Sequence, residues 1–173
     1  DYLRAYALGH HLFKPVDCGR IYEVLPTGAH PARVTIPADA GQLVSLLSSP
    51  QGWVRDHAQQ RLVDDQDQTA TGALEDLLHQ KDNPVAAIHA LWTLEGLGAL
   101  KPADIAFLLD SPVYPVREEA LDAMASVTDR ENAAAFLAIL GHELATCDSL
   151  EAPAIAYVLS GLRVYNPVAV DRA

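Results

Sequence analysis

Cysteine, methionine, aromatics and basic residues are all scarce in this chain, and most of these shortages remove a class of protein. Cys18 and Cys147 stand far apart with no C-x-x-C, so no thiolate metal framework can be built; their spacing leaves open whether they bond to each other. Lys and Arg number 12 against 23 Asp and Glu, a net charge of −11, and they form no basic cluster. Such a surface repels a phosphate backbone, which argues against duplex nucleic acid as a partner. No apolar run approaches the roughly 18–20 residues needed to span a bilayer. The opening DYLRAYALGHH has no initiator Met and no leader pattern, and it reads as internal to a longer chain. G-x-S-x-G, P-loop and H-E-x-x-H strings are missing too, and LEGLGAL offers only G-x-G without a strand before it.

What is present is a folded, soluble balance of residues, half of them apolar and a fifth charged. The apolar residues repeat. Leu43, Leu46 and Leu47 recur 31 residues later as Leu74, Leu77 and Leu78, then as Ile105, Leu108 and Leu109, then as Phe136, Ile139 and Leu140. All twelve are large and apolar at the i, i+3, i+4 spacing of one helix face, an agreement that chance does not supply. A second register follows each of these. Val54, Ala58 and Leu62 return as Ala86, Ala90 and Leu94, displaced by one, then as Val116, Ala120 and Met124. The last copy matches best at Ala154, Val158 and Leu162, after an insertion of about seven residues around GHELATCDSLE. Ser49-Pro50 and Arg55 are echoed 62 residues on by Ser111-Pro112 and Arg117.

Each unit therefore reads as helix, short turn, helix. Prolines at 50, 84, 112 and 115 mark the turns, because proline inside a helix forfeits a hydrogen bond. Thr128 and Glu131 have capping-box spacing ahead of Phe136, and Gly96 and Gly98 with Pro102 end one helix and open the next. Hairpins of this size cannot bury an apolar face alone and must stack. The expectation is an all-α fold, an α-solenoid of about four helical hairpins over residues 37–173.

Residues 1–36 break the pattern. GRIYEVLP, with β-branched and aromatic residues and no helical period, reads as a short strand, and FKPVDCG before it as a loop. DYLRAYALGHHLF fits a helix or irregular chain equally, and residues 26–38, with three prolines, read as a linker.

GWVRDHAQQRLV (residues 52–63) and IHALWTLEGLGAL (88–100) resemble the HEAT-type repeat segment of a family of large membrane-bound dehydrogenases similar to pyrroloquinoline-quinone sugar dehydrogenases. In that family a β-propeller precedes the repeats and a cytochrome c domain commonly follows. KPVDCGRIYEV (14–24) resembles the propeller's closing strand, which makes 1–36 the end of a propeller domain. The resemblance implies a periplasmic or membrane-associated redox protein, with quinone, calcium and haem c in the parent and none of them in this piece. No C-x-x-C-H for haem attachment is present, and no catalytic residue carries over. The implied role is a non-catalytic scaffold between propeller and cytochrome. A free-standing HEAT-like protein-binding module is the alternative; a DNA-acting enzyme fits the acidic charge poorly.

Arg55, Asp56 and His57 have the makings of an acid/base cluster. Recurrence of the arginine at Arg117 is scaffold behaviour, and HEAT-type repeats use such an arginine to bond neighbouring turns. Asp56 and His57 are expected in the first helical turn, where an acid favours the positive end. Trp53 is expected just before that helix as a hydrophobic staple. Trp92, in an almost wholly apolar helix, is expected buried between units, with His89 a satisfied core or groove histidine lacking a second ligand at i+4. His10 and His11 point to different sides of any regular element and so do not chelate together. Asp64-Asp65-Gln66-Asp67 lacks the glycine and closing glutamate of a calcium loop and reads as a solvated acidic turn.

Overall fold

The computed structural model describes residues 2–10, 26–28, 35–144 and 150–165. The chain divides into two units, residues 1–34 and 35–173. In the first, helix α1 (Tyr2–Gly9) answers the open question about the opening stretch; Tyr6 stacks against His10, ring centroids 4.2 Å apart. The strand expected in GRIYEVLP lies outside the described residues except for Pro26, as do His11, Cys18 and Cys147.

The second unit is all-α: α2 (Ala40–Leu46), α3 (Gly52–Asp64), α4 (Thr71–Leu78), α5 (Pro84–Gly96), α6 (Pro102–Leu109), α7 (Tyr114–Val127), α8 (Ala133–Glu143) and α9 (Ala152–Leu162), with a 3₁₀ turn at Gln68–Ala70. Consecutive helices pack in pairs, α2 on α3, α4 on α5, α6 on α7 and α8 on α9. The second members also pack on one another in sequence, α3 on α5, α5 on α7 and α7 on α9.

The two sequence registers are the core. Of the twelve repeating positions on the first helices, ten are buried, and Leu46 and Ile139 are partly so. Val54, Ala58, Leu62, Ala86, Ala90, Leu94, Val116, Ala120 and Met124 are all buried on the second helices. The one-residue displacement at Ala86 has a local cause: the turn from Leu78 to Ala86 is one residue longer than its counterparts from Leu47 to Val54 and Leu109 to Val116. In α9 the buried set is Ile155, Val158 and Leu162 rather than one starting at Ala154, which is half-buried.

Helix ends follow the expected chemistry in some places and depart from it in others. Pro84 and Pro102 begin their helices, where the missing N–H costs nothing. Asn83 Oδ1 accepts from the Ala86 N–H at 3.1 Å, and Asp39 Oδ1 from Gln42 N–H at 2.9 Å. At α5, Gly98 takes φ +64°, so its N–H reaches the Glu95 carbonyl and the Ala99 N–H the Leu94 carbonyl, both at 2.8 Å. α3 ends the same way on Gln66, at φ +50°. Its N–H meets the Val63 carbonyl at 3.1 Å, and the Asp67 N–H meets that of Leu62 at 3.3 Å.

The Thr128/Glu131 capping box does not form. The Thr128 hydroxyl is committed backwards, donating to the Met124 carbonyl at 2.6 Å. Asp129 takes its place, accepting from the N–H groups of Glu131 at 2.8 Å and Asn132 at 2.9 Å. The 64–67 turn is solvated as expected, with Asp64, Asp65 and Gln66 exposed, and it is also tied down. Asp65 pairs with Arg61 at 2.6 Å and Asp67 caps Thr69 at 3.0 Å. Gln66 and Gln68 donate to the Gly96 and Leu97 carbonyls, at 3.1 and 2.9 Å, stitching the end of one hairpin to the end of the next.

The approach of α3 to α5 depends on Gly96. A Cβ there would lie 2.8 Å from Val63 Cγ2, closer than real Cβ atoms come to anything. Gly96→Ala is expected to lower stability by about 1–2 kcal/mol, overpacking outweighing the helix-propensity gain. Adding Val63→Ala should recover part of that loss in urea unfolding.

Candidate functional site

Arg55, Asp56 and His57 are neighbours in sequence and go three ways in space. Helix α3 begins at Gly52, so Trp53 sits inside the first turn rather than ahead of it, and Asp56 and His57 lie beyond that turn. Those expected placements are corrected by a helix that starts directly after Gln51. Arg55 folds back: Nη1 donates to the Ser49 carbonyl at 2.8 Å, and Nε donates to His89 Nε2 on α5 at 3.1 Å. His57 is exposed, its Nδ1–H donating to the Trp53 carbonyl at 2.8 Å and its ring meeting Trp53 edge-on. Asp56 is exposed on the side of the helix facing a cleft between α3 and α5. No reacting atom could meet all three.

Arg117 repeats the Arg55 geometry bond for bond. Its Nη1 donates to the Ser111 carbonyl at 2.8 Å, six residues back, as Arg55 does to Ser49. Its Nε donates to Glu151 Oε1, 34 residues ahead, the separation between Arg55 and His89. Both turns are held by the serine as well, Ser49 Oγ accepting from Gln51 N–H and Ser111 Oγ from Val113 N–H at 3.2 Å each. In α5 the equivalent position is Ala87, which is buried and carries no such bond. The cavity it helps line, with Pro84, Phe107 and Ser111, is about 30 Å³, room for roughly one water.

His89 is half-buried and its proton is assigned by its partners. Arg55 Nε can only donate, so His89 Nε2 accepts; Nδ1 then carries the hydrogen and donates to Gln59 Oε1 at 2.7 Å. Burial lowers its pKa below the ordinary 6.5, Arg55 adds to the lowering, and Asp56 opposes it. The unfolded chain therefore binds this proton more readily than the folded one. The stabilising effect is complete above about pH 6.5 and is lost as pH falls toward the folded-state pKa. His89→Gln should lose less melting temperature between pH 7.5 and 5.5 than the wild type. An NMR titration should place the His89 midpoint below 6.5; a midpoint above it would contradict the assignment.

Trp92 is half-buried, not buried, and bridges α5 to α7 through Nε1–H donating to Glu119 Oε2 at 2.6 Å. Beside it, Ser126 Oγ donates to Glu95 Oε1 at 2.5 Å, a second link between the same helices. Neither acid was recognisable from the sequence: Glu95 is the lone charge of an apolar helix and Glu119 follows Glu118, and nothing in either setting marks a partner. At the end of α8 the pKa of Glu143 is raised chiefly by burial, with Asp110 and Glu151 adding and His142 and Arg117 opposing. Among the described residues no three His, Cys, Asp or Glu side chains are grouped to hold a metal ion, and no helix is long and apolar enough to cross a membrane.

The fold is all-α, and of the residues singled out from the sequence Arg55, His89, Trp92 and Arg117 join one hairpin to the next. No family model, curated protein or solved structure matches the chain.

Proposed function

We propose that this chain is a non-catalytic scaffold, an α-solenoid of HEAT-like hairpins whose work is to hold other protein modules. The observation that carries the reading is the duplicated arginine. Arg55 and Arg117, the residues most easily mistaken for chemistry, each bind a turn carbonyl and a side chain 34 residues ahead. A group used twice at the same offset serves the repeat, whereas an active site is built once.

The resemblance of GWVRDHAQQRLV and IHALWTLEGLGAL extends the proposal: the scaffold would sit in a quinone- or haem-linked dehydrogenase, between a propeller and a cytochrome domain. The test is dye-linked sugar oxidation by the chain, with and without added pyrroloquinoline quinone and calcium. No sugar-dependent dye reduction is expected in either condition, and robust reduction would sink the scaffold reading. A free-standing protein-binding module is the second reading, favoured by the open cleft between α3 and α5. Recovery in a pull-down of a partner unrelated to any dehydrogenase would select it.

A further inference from the structure

We infer that the slot beside Ala87 is a binding site for a small cation with a short alkyl tail, of the alkylguanidinium class. The repeat itself locates the slot. The position held by Arg55 in α3 and Arg117 in α7 falls on Ala87 in α5 and on Ile155 in α9. Ile155 is 2% exposed and packs into the core, so that copy is filled. At Ala87 no side chain replaces the arginine, and a cavity remains between the turn into α5 and the end of α6. Close-packed interiors leave few such gaps.

The walls suit the missing side chain from one end to the other. The floor is apolar, with Leu78, Ala87, Leu108 and Val116 all buried. The rim is polar, with Gln80, Lys81 and Asp110 exposed. The interior is about 30 Å³, and counting the mouth the space between side chains is about 370 Å³. A short alkyl tail fits the floor, and a cation attached to it then stands at the rim.

The rim calls for a cation. Gln80 and Lys81 occupy the turn where Ser49 and Ser111 offer their carbonyls to Arg55 and Arg117. Neither the Gln80 nor the Lys81 carbonyl receives a hydrogen bond among the described residues. Asp110, on the same rim, supplies a carboxylate. The Phe107 ring already draws a cation, with Lys81 Nζ 5.4 Å from its centroid. Lys81 is exposed, so its ammonium leaves the ring at little cost. A planar guanidinium donates to a carbonyl and a carboxylate together, as Arg117 does to Ser111 and Glu151, whereas an ammonium is a point charge without that fork.

The experiment follows the amide shifts of the whole chain by NMR as ethylguanidinium is added, the portion of an arginine side chain that lies beyond Cβ. Saturable shifts are expected in the millimolar range, confined to the turn into α5 and the end of α6. Guanidinium, which lacks the tail, should bind at least about fivefold more weakly. Ethylammonium, which lacks the fork, should bind at least about threefold more weakly. Ala87→Arg, which fills the slot from within, should abolish the shifts and raise the melting temperature by a few degrees. Asp110→Asn, a change at an exposed side chain, should weaken binding about threefold, and it carries the test if the buried substitution is not tolerated. A slot that takes only water shows no saturation. That result, guanidinium bound as tightly as ethylguanidinium, or binding undiminished in the variants would each overturn the inference.

Discussion

Replacing Arg117 by alanine is expected to lower the unfolding free energy by about 3 kcal/mol and the melting temperature by about 10 °C. The guanidinium holds two elements at once. Its Nη1 satisfies the Ser111 carbonyl at the turn into α7, and its Nε meets Glu151 at the start of α9. Glu151 is only 8% exposed, so truncating the arginine leaves a buried carboxylate without its cation, which costs more than the pair contributes. Arg55→Ala is expected to cost less, about 1–2 kcal/mol, because its forward partner is the neutral, half-buried His89. Lysine at 117 should restore little, since one ammonium cannot reach both acceptors with the geometry of a fork. Urea unfolding of the three variants measures the order.

The second large effect separates two adjacent residues. Leu91→Ala is expected to cost about 3–4 kcal/mol and Trp92→Phe about 1 kcal/mol. Leu91 is fully buried in the shared core, where truncation leaves a cavity that neighbouring helices cannot close. Trp92 is half-buried; phenylalanine keeps one packed ring and forfeits the bond to Glu119 with the rest of the indole. By apolar content alone the larger tryptophan would be ranked the anchor of α5. A larger loss at Trp92 than at Leu91 would return that ranking and contradict the packing described here.

The core was legible because it is periodic. Leu43, Leu74, Ile105 and Phe136 announce one helix face, and Val54 and Val116 another, at spacings that hydrophobic burial enforces in each copy. The arginines were legible for the same reason. Less visible were bonds between unlike partners. His89 lies inside α5 and Glu151 at the start of α9, with different chemistry, so no repeat of residue type betrays them. Gln66 escaped because the left-handed turn at a helix end is signalled by glycine, as Gly98 does for α5, and glutamine adopts it only at a cost. The Thr128 reading failed on competition: a hydroxyl that fits a capping box also fits the carbonyl four residues behind it, and here it makes that bond.

The central claim is that Arg55 and Arg117 are repeat-to-repeat staples rather than members of an acid/base site. Two double-mutant cycles test it most directly: Arg55→Ala with His89→Ala, and Arg117→Ala with Glu151→Ala, each read by urea unfolding. The staple account predicts positive coupling in both, about 0.5–1 kcal/mol for the first and about 1.5–3 kcal/mol for the second. Additive effects at both pairs, within about 0.3 kcal/mol, would contradict it.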